Sequence, residues 1–468
     1  MTNQELPNDA AHALPHAGTL GSALTIGFGA SVFMWMLAWV LHMPGVHVDA
    51  KLAVPALMAP LFLITLCWSR HVAATHRLTA ALMGGFVAGL VNLLILGSHI
   101  VEQPETTDQM AEQANSFAPN ALMTVIGSMV LSLIVAGIAG VLAGVLTKNK
   151  SDTTIYTTIT WRSRFAWVTA LTYLPLIAVG GAVTSTDSGL AVPDAVTSYG
   201  AVSVLFPLQL MAEPRIFLEH SHRLFGTLAG LTTLVLMIRV LMGEPRKLPK
   251  MLAIVLFVAV SLQGYMGIIR VAEQSTFFAI IHGVFAQLVL AWALGTAIVL
   301  SDAWTNAAPS EETVAAAKRT RQMMLITVIA LLIQLVLGAV TRHLQSGHGM
   351  MAHMGFAFVV LMLVIIGGSL VMRTGKTDAS GKAIRPFGAL LHGSVVLQVT
   401  LGFAVIGMGW SSEEPTELHT HENLSSAPPI EASSLVTTAH HLIGALVLAA
   451  AAGALVWAIR LAIRPKAL

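Results

Sequence analysis

Cysteine is almost missing from this chain: Cys67 is the only one in 468 residues. That excludes an intramolecular disulfide and a thiolate metal cluster. Charge is scarce as well. Only 10% of residues are charged, 55% are hydrophobic, and the mean hydropathy is +0.77. This balance excludes an ordinary soluble globule and fits a polytopic helical membrane protein. The net charge of +2 and the lack of a basic run give no footing for nucleic acid. Residues 1–18 hold no Lys or Arg ahead of the first apolar run, so no cleavable signal peptide is expected. What the chain has instead is histidine, 18 in all.

A hydrocarbon core of about 30 Å takes about 20 apolar residues per helix. Twelve segments qualify: 19–43, 52–69, 78–100, 120–146, 165–184, 217–242, 250–269, 276–300, 322–341, 350–372, 386–409 and 434–460. The expected fold class is an all-α polytopic membrane protein of twelve transmembrane helices. Residues 147–164 and 301–320 read as linkers and divide the helices into fours. An extension over 1–150 is followed by one four-helix unit over 160–302 and another over 320–463. Of the 25 Lys and Arg, all but Lys51, Arg215, Arg223, Arg270 and Arg342 fall on the side of the two termini. The positive-inside rule sets that side in the cytoplasm. The opposite loops are acidic, with Glu102, Glu105, Asp108 and Glu112 in one and Glu413, Glu414, Glu417 and Glu422 in another.

The last eight helices read as a duplication, two pseudo-symmetric four-helix bundles. Gly181-Ala182-Val183-Thr184 recurs as Gly338-Ala339-Val340-Thr341, each followed by Ser-Gly. Leu262-Gln263-Gly264-Tyr265-Met266-Gly267 recurs as Leu397-Gln398-Val399-Thr400-Leu401-Gly402, and Leu288-Val289-Leu290-Ala291 as Leu446-Val447-Leu448-Ala449. Counting back six residues from the last pair sets His282 opposite His440. His222 and His353 likewise each open the second helix of their unit.

All four histidines fall at the outer ends of their helices. A single such histidine is simply accounted for as a hydrogen-bonded interfacial side chain. Four at corresponding places in a repeat fit better as axial ligands, because two imidazoles from different helices can take both axial positions of a haem iron. A zinc site would more often add a carboxylate or thiolate, and only the first unit has a nearby Glu. His441 is a substitute for His440, and His220 faces away from His222, as a loop contact does. Glu219 lies where a polar loop is expected to meet the apolar run from Leu224 to Met242, and a carboxylate there is costly unless it functions. Three residues before His222, it shares that residue's helical face, and Met350 stands at the matching place in the second unit. A helix-start glutamate favoured by the helix dipole is the plainer account.

The run Glu219-His220-Ser221-His222-Arg223-Leu224-Phe225-Gly226 resembles the Glu-x-x-His-Arg signature of the haem A synthases. Residues Thr186 to Asp194, the Gln263-Gly264-Tyr265-Met266-Gly267 run and Ala439-His440-His441 are similar to further motifs of that family, and the likeness spans about residues 162–463. It implies conversion of haem O to haem A by oxidation of a ring methyl to a formyl, for terminal oxidases of a cytoplasmic (inner) membrane. It also implies that His222 and His282 hold the substrate haem, that His353 and His440 hold a resident haem b, and that Glu219 is the functional carboxylate, exchanging protons as the methyl carbon is oxidised. Haem O synthase and terminal oxidase subunits are the partners it brings into view.

Val192 stands where many members have a loop cysteine, and Ala195 where a tryptophan is common. Arg223, Arg270 and Arg342 are candidates for haem propionates, as are His343 and His348 from an outer loop, while His392 reads as a packing residue. The extension has no counterpart in the eight-helix plan. His42, His47 and His99 would lie near its outer face, where interfacial polar residues are the plain account and a third haem or metal site from His42 and His99 the sharper one. His71 and His76 flank a cytoplasmic turn. The alternatives to an enzyme are a dihaem b-type membrane electron carrier, which has no need of Glu219, and a haem-handling assembly factor.

Overall fold

The computed structural model describes residues 16–46, 48–103, 116–148, 154–192, 194–409 and 429–463. Twelve long helices stand among them, and no strand: α1 (His16–Leu41), α2 (Ala50–Ser69), α3 (Arg77–Ile100), α4 (Ala121–Thr147), α5 (Thr158–Ser185), α6 (Pro214–Gly243), α7 (Lys247–Ala272), α8 (Thr276–Leu300), α9 (Glu311–Leu344), α10 (Gly347–Thr374), α11 (Arg385–Gly407) and α12 (Ala432–Leu461). All twelve include a stretch long and apolar enough to cross a membrane. The chain is a multi-pass membrane protein. Most of the acidic outer loops, with Glu105, Asp108, Glu112, Glu413, Glu414, Glu417 and Glu422, lies outside the described residues, as do His47, Lys150, Pro193, Arg464 and Lys466.

Several helices run past the apolar segments, and the reason is capping. Thr157 accepts a hydrogen bond from Thr160 N, so α5 begins inside the expected 147–164 linker and carries Arg162 and Arg164 on its first turns. Ser310 does the same for α9 through Thr313 N, and the 301–320 linker is largely helix. Glu213 caps α6 by accepting from Ile216 N at 2.7 Å. Glu219 therefore sits well inside a helix, and the helix-start role falls to Glu213.

Helices α5 to α8 pack as a ring, each against the next and α8 back on α5, and α9 to α12 do likewise. In both rings the second and fourth helices stand diagonally. The first four helices close differently, with α1 against α2 and α3, and α4 against α2 and α3. Glycines let α1 and α3 approach: a Cβ on Gly27 would stand 2.5 Å from Val87, and one on Gly84 2.7 Å from Ile26. Helix α12 packs on α5 and α8, α8 on α9, and α1 on α5, which joins all three groups.

Where α5 begins and α6 ends, buried Arg162 pairs with buried Glu244 at 3.2 Å, and Arg246 Nε donates to the same carboxylate at 2.6 Å. Burial alone would raise the pKa of Glu244, but its hydrogen bonds from Arg246 and the charge of Arg162 hold it below the ordinary carboxylate value. His71 stacks on Tyr156 at 4.2 Å at this same end.

Candidate functional site

Each ring of four brings its two histidines together across the diagonal. The His222 (α6) and His282 (α8) ring centroids are 6.2 Å apart with planes at 75°, and those of His353 (α10) and His440 (α12) are 6.4 Å apart, also at 75°. Two imidazoles bound to opposite sides of one metal atom, at about 2 Å per bond, have centroids about 6 Å apart. Both pairs stand at that separation. No group of three or more metal-binding side chains occurs among the described residues.

Every ring is seated the same way. A Cβ on Gly180 of α5 would lie 2.9 Å from His222 Cε1, and one on Gly267 of α7 3.1 Å from His282 Cε1. For Gly338 of α9 and His353 the distance is 2.9 Å, and for Gly402 of α11 and His440 it is 3.2 Å. The glycine is a recess for the imidazole. One turn before each glycine, a main-chain carbonyl faces the ring, from Leu176, Gln263, Gln334 and Gln398 in turn. At His353 that carbonyl is 3.2 Å from Nδ1, which favours the tautomer with Nε2 as the free ligand atom. The Nδ1 atoms of His222, His282 and His440 stop short of hydrogen-bond geometry.

The glutamines add a second restraint. Gln263 and Gln334 each donate through Nε2 to the main-chain oxygen of their histidine at 2.9 Å, and Gln398 Nε2 lies 3.2 Å from His440 Nε2. Only His222 lacks such a partner, because its facing residue is Leu176. One turn inward of each histidine, on its own face, stands a small residue: Gly226, Ala286, Ala357 and Gly444. Sequence reasoning missed this fourfold pattern of glycine recess and small neighbour, although the residues were legible. It also paired Gly181 with Gly338, whereas the glycine backing His222 is Gly180. Gly181 instead packs against His441. His441 thus turns toward α5, and His440 is the residue that meets His353.

The units differ at their outer ends. Residues 186–192 and 194–213 of the first form a folded cover whose Ala191, Val192, Phe206, Leu210 and Met211 make a core with Ile216, Phe217 and Leu218 of α6. Glu219, 4% exposed, ties this cover down: one carboxylate oxygen accepts from Val192 N and the other from Arg223, both at 2.8 Å. Arg223 then donates to the carbonyls of Asp194 and Thr197, each at 2.7 Å. Asp194 closes the turn by accepting from Gly200 N and Thr197, and those bonds lower its pKa. His220 is fully buried against Phe206 and Ser198 of the cover, the loop contact expected of it. The second unit has only Gln345 and Ser346 between α9 and α10. His343 and His348 therefore sit on helix ends and not in a loop.

Of the three arginine candidates for propionates, Arg223 is committed to Glu219 and the cover. Arg342 reaches from α9 to Asp187, at 2.8 Å, and to the Thr184 carbonyl. The Arg270 guanidinium makes no hydrogen bond among the described residues and lies between Gly189 of the cover and the charges of Glu219 and Asp187, beside His222 and His282. His392, away from both pairs, has Nδ1 2.9 Å from Gly388 O, as a packing residue would.

Residues 163–350 match the COX15-CtaA family, cytochrome oxidase assembly proteins. Over that stretch the chain is similar to this family. The match takes in Glu219, His222 and His282, ends just before His353 and does not reach His440. It includes the Glu-x-x-His-Arg run that carries the resemblance to haem A synthases, and it supports a role in cytochrome oxidase assembly. The four N-terminal helices precede it. No curated protein and no solved structure matches the chain.

Proposed function

We propose that this protein is a haem A synthase-like oxidoreductase that oxidises a ring methyl of haem O to the formyl group of haem A. One observation carries the haem reading: two histidine pairs, each on the diagonal of a four-helix ring, at the separation that axial ligation of a single metal atom needs. In this reading His222 and His282 of the 160–302 unit hold the substrate haem, and His353 and His440 of the 320–463 unit hold a resident haem b. The recess glycines and the small residues one turn inward fit a flat ligand between the diagonal helices. A bound haem iron supplies the redox chemistry.

Glu219 and the cover distinguish the substrate unit. Glu219 is a buried carboxylate one turn from His222, and its place is taken by Met350 in the second unit. It has the position to accept protons released from the methyl carbon, while the cover excludes water. Arg270 is the arginine left to meet a propionate. The Lys and Arg distribution favours sites at the outer face of a cytoplasmic membrane with both termini inside, and haem O synthase and terminal oxidase subunits are the partners this role calls for.

The test is haem extracted from cells that make haem O, with and without this protein. Haem A is expected only with it. Glu219→Gln should keep its haem and form no haem A. Unchanged haem b and haem O with the wild-type chain would refute the enzyme and favour a dihaem electron carrier; full activity in Glu219→Gln would remove that residue from the mechanism.

A further inference from the structure

The N-terminal helices hold a third histidine pair that the function above leaves unused. His42 follows the outer end of α1 and His99 lies in the last turn of α3, with ring centroids 6.0 Å apart and planes at 71°. Their meeting follows from the register of one seam. Trp35 Nε1 donates to Asn92 Oδ1 at 3.0 Å, and each histidine comes seven residues later, two turns further out on the same face. His42 Nδ1 is 2.8 Å from the Ala38 carbonyl, which engages that nitrogen and leaves Nε2 free. The His99 side chain is exposed and makes no hydrogen bond among the described residues.

We propose that His42 and His99 form a binding site for a single copper ion at the outer mouth of the N-terminal helices. An ion fits where a porphyrin does not. Helices α1 and α3 are direct neighbours, drawn together at Gly27 and Gly84, whereas the other two pairs span a diagonal. Neither His42 nor His99 has a recess glycine behind it. The separation selects the metal. Two imidazoles on a tetrahedral ion have centroids about 5 Å apart, and on opposite sides of an ion about 6 Å. Tetragonal nitrogen coordination favours copper over zinc, and copper binds most tightly of the late divalent ions. Solvent at His99 supplies the remaining ligands and lets the ion exchange with the outer medium. This site does not depend on what the other four histidines hold.

The full-length protein, purified in detergent and stripped of loose metal by a chelator, is titrated with copper(II) and its bound copper counted by equilibrium dialysis. The wild type is expected to retain one equivalent more than the His42→Asn/His99→Asn double variant, and each single variant should lose the same equivalent. Electron paramagnetic resonance of the wild type should show nitrogen coupling from two imidazoles, and haem content should be equal in all four proteins. Equal copper in wild type and double variant, or a wild-type spectrum without that coupling, overturns the proposal. Loss of haem from the double variant overturns it in favour of a third haem. Asparagine leaves the Trp35–Asn92 contact intact, so helix packing is preserved in these variants.

Discussion

A single methyl group can test whether the recess glycines seat the histidines. In Gly338→Ala the new Cβ would stand 2.9 Å from His353 Cε1 and 3.2 Å from its Nδ1, where ordinary contact starts at 3.4 Å. The ring or the helix must retreat by about 0.5 Å, which is the whole tolerance of a working ligand geometry. That retreat is also about a quarter of a ~2 Å metal–nitrogen bond. Helix propensity pulls the other way, since alanine is favoured over glycine by up to about 1 kcal/mol in a helix. The two effects have opposite signs and separate readouts. Haem per polypeptide and the Soret spectrum should fall and shift, while thermal unfolding of the detergent-solubilised protein should not occur earlier. Gly180→Ala should match Gly338→Ala, with Gly267→Ala and Gly402→Ala milder because their contacts are 3.1 and 3.2 Å. Gly230→Ala and Gly393→Ala, whose Cβ positions meet nothing within 4 Å, are the controls and should leave haem unchanged. Wild-type haem content and spectrum in Gly338→Ala would refute the recess.

Leu176→Gln should give His222 the restraint its three counterparts have, seen as a larger low-spin fraction in the haem spectrum and slower exchange of added imidazole. Glu244→Ala should destabilise by roughly 3–5 kcal/mol, because it leaves Arg162 buried without its carboxylate, and thermal unfolding measures this. Asp187→Asn, whose carboxylate is 58% exposed in its pair with Arg342, should cost at most about 1 kcal/mol in the same assay. Asp378 sets an acid limit on the turn between α10 and α11. Partial burial would raise its pKa, but hydrogen bonds from Ser310 N, Thr313 and Gly381 N prevail and bring it to about 2. The folded value lies below the unfolded one, so the stabilisation is complete above about pH 4 and is lost as pH falls toward 2. Hydrogen exchange of this turn should be unaffected by Asp378 ionisation between pH 5 and 8 and rise in acid, and Asp378→Asn should abolish the acid step.

The helices were legible because a lipid-facing segment must be apolar over its whole length, a one-dimensional property. Their ends were less so. Thr157, Ser310 and Glu213 extend α5, α9 and α6 by capping, and a capping residue looks like any polar loop residue until its hydrogen bond is known. The repeat gave the correspondence of His282 with His440 through the Leu288 and Leu446 runs. It slipped by one residue at Gly181, because short runs of small apolar residues match in more than one register and a slip of one turns a helix face by about 100°.

What the sequence alone determined is therefore the class, the number of spans, the charge asymmetry, and which histidines lie at one depth. What only the tertiary structure decided is who faces whom. Depth is fixed by position along a helix, but partnership depends on rotation and on which helices are diagonal, which no linear pattern encodes. That is why Gly180 and not Gly181 backs His222, why Glu219 and Arg223 stitch down the cover, and why His42 and His99 stand together across a seam that pairs residues 57 positions apart.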